Sequence, residues 1–244
     1  MPLQLHVHML PALITGEPLA NQCVVVVDVL RATTTIAHAL AAKATALIPC
    51  LEVEDAWRIA REMESEQYIL GGERFGLPID GFHLGNSPSE YTPQTVSGKT
   101  VIFTTTNGTR AVEACRTSET VLFAAFVNLS SVCQRLSGLE AVHILCAGTR
   151  GEISAEDVLL AGALADQLGG SEMANDQATL ARDAWRAATA GDDAQDLVRH
   201  LKASRGGRNL ISEGLGADID IAAQIDLLDV VPVLNRSTGK IEAT

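Results

Sequence analysis

The sequence predicts an α/β protein with a layered α/β/α architecture, in which helices cover both faces of a mainly parallel sheet. Eight short segments are apolar along nearly their whole length and rich in β-branched residues, which is typical of strands buried on both faces. Segments with helical spacing lie between most of these strands, and this alternation indicates repeated strand–helix units. The 244 residues, 47% of them hydrophobic, supply enough apolar surface for a large core.

The predicted strands follow one another as apolar runs bounded by polar or turn-forming residues. In chain order they are LQLHVHML, CVVVVDVL, ATALIPCL, QYILGG, TVIFTTT, TVLFAAF, AVHILCAG and VVPVLN. The four consecutive valines of the second segment predict a central strand, because both of its faces are apolar.

The predicted helices lie between these strands. TTTIAHALAAKA is Ala-rich, and EVEDAWRIAREMES, TRAVEACRT and NLSSVCQRL repeat apolar residues at helical spacing. SAEDVLLAGALADQLGG begins at Ser154, has Asp157 in the position of a capping-box acid, and ends at two glycines. Residues 171–209 are more polar, and they predict a helical subdomain before the last strand.

The chain is predicted to form a single domain over residues 1–244, or two closely packed α/β lobes over about 1–98 and 99–244. Residues 73–99 interrupt the alternation, because they are rich in Gly, Pro, Ser and Asn and have little periodicity. A connection of this length usually carries function or forms a lid.

Charge and composition exclude several classes of partner. The net charge of −12 argues against a general nucleic-acid surface, which needs a positive footprint. The longest apolar run, near residues 23–30, is too short to span a bilayer, and the first residues lack the pattern of an export signal. Five scattered cysteines favour reduced thiols in the cytoplasm, and the high apolar content favours a homodimer.

Polar residues gather directly after four of the predicted strands, where ligands bind in parallel α/β sheets. If the strands are parallel, these segments open onto one edge of the sheet, and each contributes a carboxylate, an arginine or both. In chain order the segments hold Asp28, Arg31 and Thr33–Thr35; Glu73 and Arg74; Thr106, Asn107, Gly108, Thr109 and Arg110; and Thr149, Arg150, Glu152, Glu156 and Asp157.

The first and third segments of polar residues also have structural interpretations. Asp28 is also suited to cap the following helix, with Arg31 as its partner. Residues 33–35 are ordinary first-turn residues, or their hydroxyls and the free N–H groups of that turn form an anion cradle. Asn107 and Gly108 are most simply a turn.

Other polar residues have similar structural alternatives. Asp157 fits a capping box with Ser154, whereas Glu156 has no such explanation. Arg110 and Arg150 are explained equally well as solvated surface residues. His6 and His8 alternate on the first strand without an evident third metal ligand, which favours a structural role.

Several common motifs are absent from the sequence. It contains no G-x-G-x-x-G dinucleotide fingerprint, no G-x-x-x-x-G-K-[ST] phosphate loop and no G-x-S-x-G nucleophile elbow. Asp28 follows a strand, as does the aspartate of haloacid-dehalogenase-type phosphatases, but Leu30 stands where those enzymes have a second acid.

Four long stretches, in this order and spacing, carry a family resemblance. They are DVLRATTT at 28–35, GGERFGLPIDGFHLGNSP at 71–88, TTTNGTRA at 104–111 and AGTRGEISAEDVLLAG at 147–162. Together they resemble the 2-phosphosulfolactate phosphatases of coenzyme M biosynthesis and their bacterial relatives, from about residue 22 to 162 and more weakly to the end. The family pattern has an acid where this chain has His83.

The resemblance implies a magnesium-dependent phosphomonoesterase that acts on a small, anionic, phosphorylated 2-hydroxy acid. Its substrate carries roughly four negative charges at neutral pH. Arginine forks suit such oxyanions, and Mg²⁺ prefers carboxylate oxygens together with water and phosphate. A carboxylate that does not bind the metal would serve as general base, or Asp28 or a threonine would attack directly.

From these arguments we expect three sets of site residues. The expected catalytic residues are Asp28, Arg31, Glu73 and Arg110. The expected substrate-binding residues are Thr33, Thr34, Arg74, Asn86, Ser87, Asn107, Gly108, Thr109 and Arg150. The expected Mg²⁺ ligands are Asp28, Glu73, Glu156 and Asp157. Two rival hypotheses are another phosphosugar or phospho-acid enzyme, such as an isomerase or transferase, and a non-catalytic small-anion sensor.

Overall fold

A computed structural model of the chain describes residues 2–14, 19–191 and 195–244. In these residues eleven strands form one mixed sheet with the order β5-β4-β6-β3-β11-β10-β7-β2-β8-β1-β9. The strands are β1 Gln4–His8, β2 Cys23–Val27, β3 Ala46–Pro49, β4 Tyr68–Arg74, β5 Leu77–Pro78, β6 Thr100–Thr104, β7 Thr120–Ala124, β8 Ala141–Cys146, β9 Glu172–Met173, β10 Pro232–Asn235 and β11 Lys240–Ala243. All eight predicted strands are present, and the α/β class with a mainly parallel sheet is confirmed.

Helices connect most of the strands, as the sequence predicts. They are α1 Ala32–Ala41, α2 Val53–Ala60, α3 Pro93–Val96, α4 Gly108–Ala114, α5 Leu129–Leu136, α6 Ala155–Gln167, α7 Asp176–Ala188, α8 Gln195–Ala203, α9 Arg205–Ser212 and α10 Ala217–Ala222. The segment 171–209 is largely helical, apart from the short strand β9; the part of that prediction at residues 192–194 lies outside the described residues. No helix in the described part of the chain has the length and apolar character needed to cross a membrane.

The sheet consists of two parallel groups of strands joined by an antiparallel hairpin. The first group, here called the β2 block, is β7-β2-β8-β1-β9, and the second, the β6 block, is β4-β6-β3. The hairpin β10–β11 pairs antiparallel with β7 on one side and with β3 on the other. The two blocks therefore run in opposite directions across the hairpin, which the simple prediction of one parallel edge did not include.

The sheet bends around α1 and α4. One apolar cluster joins Val24 and Val26 of the β2 block, Val101 and Phe103 of the β6 block, and the apolar side chains of these two helices. In a flat sheet β2 and β6 would lie about 24 Å apart, at five strand spacings. Yet the start of α4, after β6, contacts Asp28, after β2. The bend therefore brings the carboxyl ends of both blocks together.

The outer face of each block is covered separately. Val25 and Val27 of β2 point to the opposite side from their neighbours and pack with α5, α6 and α7 in a second cluster. Ile102 of β6 and Leu70 of β4 pack against α2 in a third. Helices thus cover both faces of the central strands, and the strand ends remain available for a site.

Candidate active site

One open cleft lies where the carboxyl ends of β2, β4, β6 and β8 meet helix α9. Its volume is about 590 Å³ when the space open to solvent is included. The convergence of four strand ends, predicted from the sequence, is therefore present, and it arises from the bent sheet. The lining residues are Asp28, Leu30, Arg31, Glu73, Phe75, Gly76, Asn86, Thr105, Thr106, Asn107, Thr149, Arg150, Gly206, Asn209, Leu210 and Glu213.

Asp28 follows β2 directly and is 6% exposed. Its Oδ1 accepts a long hydrogen bond of 3.4 Å from the Ala32 N–H, and no residue in the described part of the chain donates to its Oδ2. Burial, then the nearby Glu73 and Glu156 carboxylates, raises the pKa of Asp28 from 3.8 to about 7. Asp28 therefore changes its charge near neutral pH and keeps one oxygen free.

Gly108, the first residue of α4, lies against Asp28. A Cβ at Gly108 would come 2.6 Å from Ala32 Cβ and 3.0 Å from Asp28 Oδ2. Only glycine fits this close approach, so Gly108, which does not line the cleft, sets the position of α4 beside the carboxylate.

Glu73, at the end of β4, is as buried as Asp28, but both of its carboxylate oxygens accept hydrogen bonds. Its Oε1 accepts the Thr106 N–H at 2.7 Å, and its Oε2 accepts the Gly76 N–H at 2.6 Å and the Thr106 hydroxyl at 3.1 Å. This carboxylate thus holds the β4–β5 turn and the end of β6 in place around the cleft.

Arg31 lines the cleft, but its carboxylate partner differs from the one expected. Its Nη1 donates to Asp218 Oδ2 at 2.6 Å, and the two side chains are only 5% and 4% exposed. Asp28 Oδ1 accepts the N–H of Ala32, the first residue of α1, but Arg31 is not its partner, because Arg31 itself occupies the N-cap position and pairs with Asp218 of α10.

The remaining predicted arginines have different placements. Arg74 donates to the Glu73 and Leu51 carbonyls and to Thr104 Oγ1, so it fastens the backbone and does not line the cleft. Arg110 is exposed on α4, and it also does not line the cleft. Arg150 lines the cleft with an exposed side chain.

The threonine hydroxyls expected to bind substrate donate to backbone carbonyls. Thr33 Oγ1 donates to the Asp28 carbonyl at 2.9 Å, and Thr34 Oγ1 donates to the Val29 carbonyl at 2.8 Å. Thr109 Oγ1 likewise donates to the Thr105 carbonyl at 2.7 Å. These hydroxyls shape the turns after β2 and β6, and none of the three residues lines the cleft.

Asn86 and Asn107 bring amide groups to the cleft. Asn107 Oδ1 accepts the Arg150 N–H at 3.2 Å and so links the loops after β6 and β8. Asn86 is 5% exposed, and its Oδ1 has no hydrogen-bond partner among the described residues. The buried Thr105 hydroxyl is unpartnered in the same sense. At the edge of a cleft, such buried polar atoms are available to bind a ligand or an ordered water.

Ser87 and Asp157 do not line the cleft, but each forms hydrogen bonds that hold nearby groups. Ser87 Oγ donates to Asp218 Oδ1 at 2.6 Å. Asp157 Oδ1 accepts the Val29 N–H at 2.9 Å and its Oδ2 accepts the Gly148 N–H at 3.0 Å, so the predicted capping box with Ser154 does not form. Burial raises the pKa of Asp157 well above its ordinary value, followed by the effect of Asp28.

Glu156 is buried beside Gly206 of α9, and its Oε2 has no hydrogen-bond partner among the described residues. Burial raises the pKa of its carboxyl, while hydrogen bonds, including one with Ser204, oppose this shift. Glu156 does not line the cleft itself.

The donor atoms at the cleft fit a hard cation held by few protein oxygens. Asp28 Oδ2 and Asn86 Oδ1 are free, whereas the Glu73 and Asp157 oxygens already accept backbone N–H groups. Within the described ranges no three His, Cys, Asp or Glu side chains form a metal-holding group. Mg²⁺ commonly uses one or two carboxylates and completes its shell with water and phosphate, so these atoms suit it.

Sequence reasoning missed the contribution of the C-terminal helices. Gly206, Asn209 and Leu210 of α9, together with Glu213, form one wall of the cleft. A Cβ at Gly76 would come 2.6 Å from Glu213 Oε1, which shows how closely the β4–β5 turn approaches this wall. The segment carries no recognisable motif, so no signal in one sequence pointed to it.

His83, which stands where the family pattern has an acid, makes a contact at the edge of its loop. His83 Nδ1 accepts the Leu70 N–H at 3.0 Å, and the ring lies outside the cleft. The contact links His83 to β4, and the departure from the family pattern therefore lies in the loop and not among the residues that line the cleft.

A third histidine does join the pair on β1, because His143 of β8 lies between His6 and His8. The His6 and His143 rings stack with a centroid distance of 4.4 Å, and His8 Nε2 lies 3.0 Å from His143 Nδ1. One of these two nitrogens donates a hydrogen bond to the other, and no metal-holding group of three His, Cys, Asp or Glu side chains occurs within the described residues, so the cluster is a packing feature. Burial lowers the pKa of His143 to about 4.

Comparisons with known proteins show which family this chain belongs to. A family profile described as 2-phosphosulpholactate phosphatase matches residues 8–237. A protein of Symbiobacterium thermophilum is 40% identical over 225 residues, which cover 91% of this chain and 94% of the relative. A Thermotoga maritima protein is 40% identical over 218 residues, which cover 89% and 91%. Both are named probable 2-phosphosulfolactate phosphatase. The chain therefore belongs to the 2-phosphosulfolactate phosphatase family, whose members are phosphoric monoester hydrolases.

Proposed function

We propose that this enzyme hydrolyses 2-phosphosulfolactate, or a closely related phosphorylated 2-hydroxy acid, with the help of Mg²⁺. The observation that carries the proposal is the convergence of all four family motifs on one cleft that holds arginines, a free carboxylate oxygen and a free amide oxygen. The relatives' names supply the substrate. The resemblance links this substrate to coenzyme M biosynthesis.

The balance of charge in the cleft supports a cation as part of the site. Two arginines, Arg31 and Arg150, face three carboxylates, Asp28, Glu73 and Glu213. A substrate with roughly four negative charges would be repelled by this arrangement alone. Asp28 and Asn86 would hold Mg²⁺, which when bound neutralises charge on the phosphoryl oxygens and lowers the pKa of bound water.

Each residue of the cleft then has a distinct role. Arg31 and Arg150 bind oxyanions of the substrate through their N–H groups. Asn107 holds the Arg150 backbone, and Glu73 holds the β4–β5 turn. Two routes are open to Asp28: it accepts the proton of an attacking water, or it attacks phosphorus itself. Both routes need the ionised carboxylate.

Localisation and assembly form a secondary part of the proposal. The five cysteines all lie in described parts of the chain as free thiols, four of them buried, which supports a reducing compartment such as the cytoplasm. The high apolar content of the chain supports a homodimer, which sedimentation velocity would test.

The test is phosphate release from 2-phosphosulfolactate, phosphoglycolate, phospholactate and the glycerol phosphates, each with EDTA and with added Mg²⁺. We expect the highest kcat/KM with 2-phosphosulfolactate, loss of turnover in EDTA and recovery with Mg²⁺. Absence of release from every compound would reject phosphatase activity on this class. Full turnover after exhaustive chelation would reject the metal.

A further inference from the structure

We propose that Asp218 is a positioning residue that directs the Arg31 guanidinium into the cleft and makes the C-terminal helices part of the anion-binding site. The inference rests on the proposed function only in taking the ligand of Arg31 to be a phosphate or another oxyanion. No family motif identified in the sequence includes Asp218.

Asp218 is bound on both carboxylate oxygens. Its Oδ2 accepts from Arg31 Nη1 at 2.6 Å, and its Oδ1 accepts from Ser87 Oγ at 2.6 Å. It is 3% exposed and does not line the cleft, whereas Arg31 does. Asp218 therefore has no direct route to a ligand, and any effect on binding passes through Arg31.

The three partners come from three separate parts of the chain. Arg31 follows β2, Ser87 lies in the long loop after β5, and Asp218 lies in the first turn of α10. The Asp218 N–H is itself bonded to the Leu215 carbonyl at 3.0 Å. The carboxylate is thus held at a defined place, and it fixes the side-chain conformation of the arginine.

Arg31 keeps most of its donors for a ligand. A guanidinium carries five N–H groups, and Asp218 is its only hydrogen-bond partner among the described residues. The remaining N–H groups form the planar fork that binds phosphate or carboxylate in a bidentate manner. Because Asp218 already holds one side of the Arg31 guanidinium, the side chain loses less conformational entropy when a ligand binds the other side.

A structural role makes different predictions. If the ion pair only attaches α10 to the rest of the protein, replacing either partner lowers the Tm, but the folded protein keeps its phosphate affinity at temperatures well below the Tm. If Asp218 acts through Arg31, its effect on anion binding disappears once the guanidinium has been removed. A double-mutant cycle separates the two roles.

The experiment compares wild type, Asp218→Asn, Arg31→Gln and the double variant, with inorganic phosphate binding measured by calorimetry and kcat and KM measured for the best substrate of the screen. Asp220→Asn is the matched control, because Asp220 lies on the same helix and forms an exposed pair with Lys202. We expect Asp218→Asn to weaken phosphate binding about tenfold and to raise KM more than it lowers kcat. In the Arg31→Gln background the same change should have less than a twofold effect.

Equal weakening of phosphate binding by Asp218→Asn in both backgrounds, or no weakening in either, would overturn the inference. If Asp218→Asn does not fold, Ser87→Ala serves instead, since it keeps the ion pair and releases only one carboxylate oxygen. It should weaken phosphate binding two- to fivefold, and again only when Arg31 is present. Phosphate binding that depends on both residues, in a protein that releases phosphate from no compound, would reject the proposed activity and support this inference.

Discussion

Asp28 and Glu73 are two equally buried carboxylates that reach the same cleft from opposite blocks of the sheet. Asp28 is 6% exposed and Glu73 is 7% exposed, so burial does not distinguish them. Glu73 accepts hydrogen bonds from Gly76 and from Thr106, through the Thr106 N–H and hydroxyl, whereas Asp28 accepts one long bond. The number of donors already bound separates a carboxylate that holds loops together from one that is free to react.

The largest effect should come from removing the charge of Asp28. Asp28→Asn keeps the size of the side chain and its contact with Gly108, but it removes the ionised oxygen that both routes require. We expect turnover to fall by about 10³-fold or more, with an unchanged circular dichroism spectrum. Asp80→Asn, an exposed change within the second motif, serves as control and should retain activity. Wild-type turnover in Asp28→Asn would remove Asp28 from the chemistry.

A smaller effect on catalysis is expected from Glu73→Gln, because this residue acts on loop geometry. The amide would present an N–H₂ group to at least one of the donors that the carboxylate now accepts. Such a mismatch typically costs about 1–3 kcal/mol, so thermal melting should show a lower Tm together with a 10- to 100-fold loss of kcat/KM. A variant with unchanged Tm and a 10³-fold loss would instead make Glu73 a direct participant.

The smallest effect concerns stability and follows from the raised pKa of Asp28. A carboxyl whose folded-state pKa is raised from 3.8 to about 7 binds more protons when folded, so the chain loses stability as pH rises through this interval. The Asp28→Asn variant has no carboxyl at this position, so this loss of stability with rising pH is absent. In EDTA, the Tm of Asp28→Asn relative to wild type should therefore increase by roughly 3–8 °C between pH 5 and pH 8. A constant difference would mean that the pKa of Asp28 is not raised.

The fold was predictable where the physical signal is local. Strands such as β2 are short, apolar on both faces and rich in β-branched residues, a combination typical of buried strands. The strands β5 and β9 have two residues each, and β11 reads KIEA, so none of them carries a periodic signal. The reversal of direction between the blocks depends on pairing between residues such as Leu47 and Ile241, which one sequence does not reveal.

The site was predictable to the extent that its residues follow strands. Four residues reach the cleft for that reason: Asp28, Glu73, Asn107 and Arg150. The sequence alone could not distinguish them from Arg74 or Thr33, whose side chains donate to backbone carbonyls. Distinguishing them requires the directions of side chains. The partner of Arg31 is 187 residues away in the sequence, at a position without any motif.

The β10–β11 hairpin has a consequence for how the chain reaches its native state. Because this hairpin supplies the strands that join β7 to β3, each block keeps one unpaired strand edge until residues 232–243 have been synthesised. Contacts that span nearly the whole chain raise its contact order, which slows folding and prolongs the exposure of those edges. A chain truncated before Pro232 should therefore expose an unpaired strand edge on each block and aggregate.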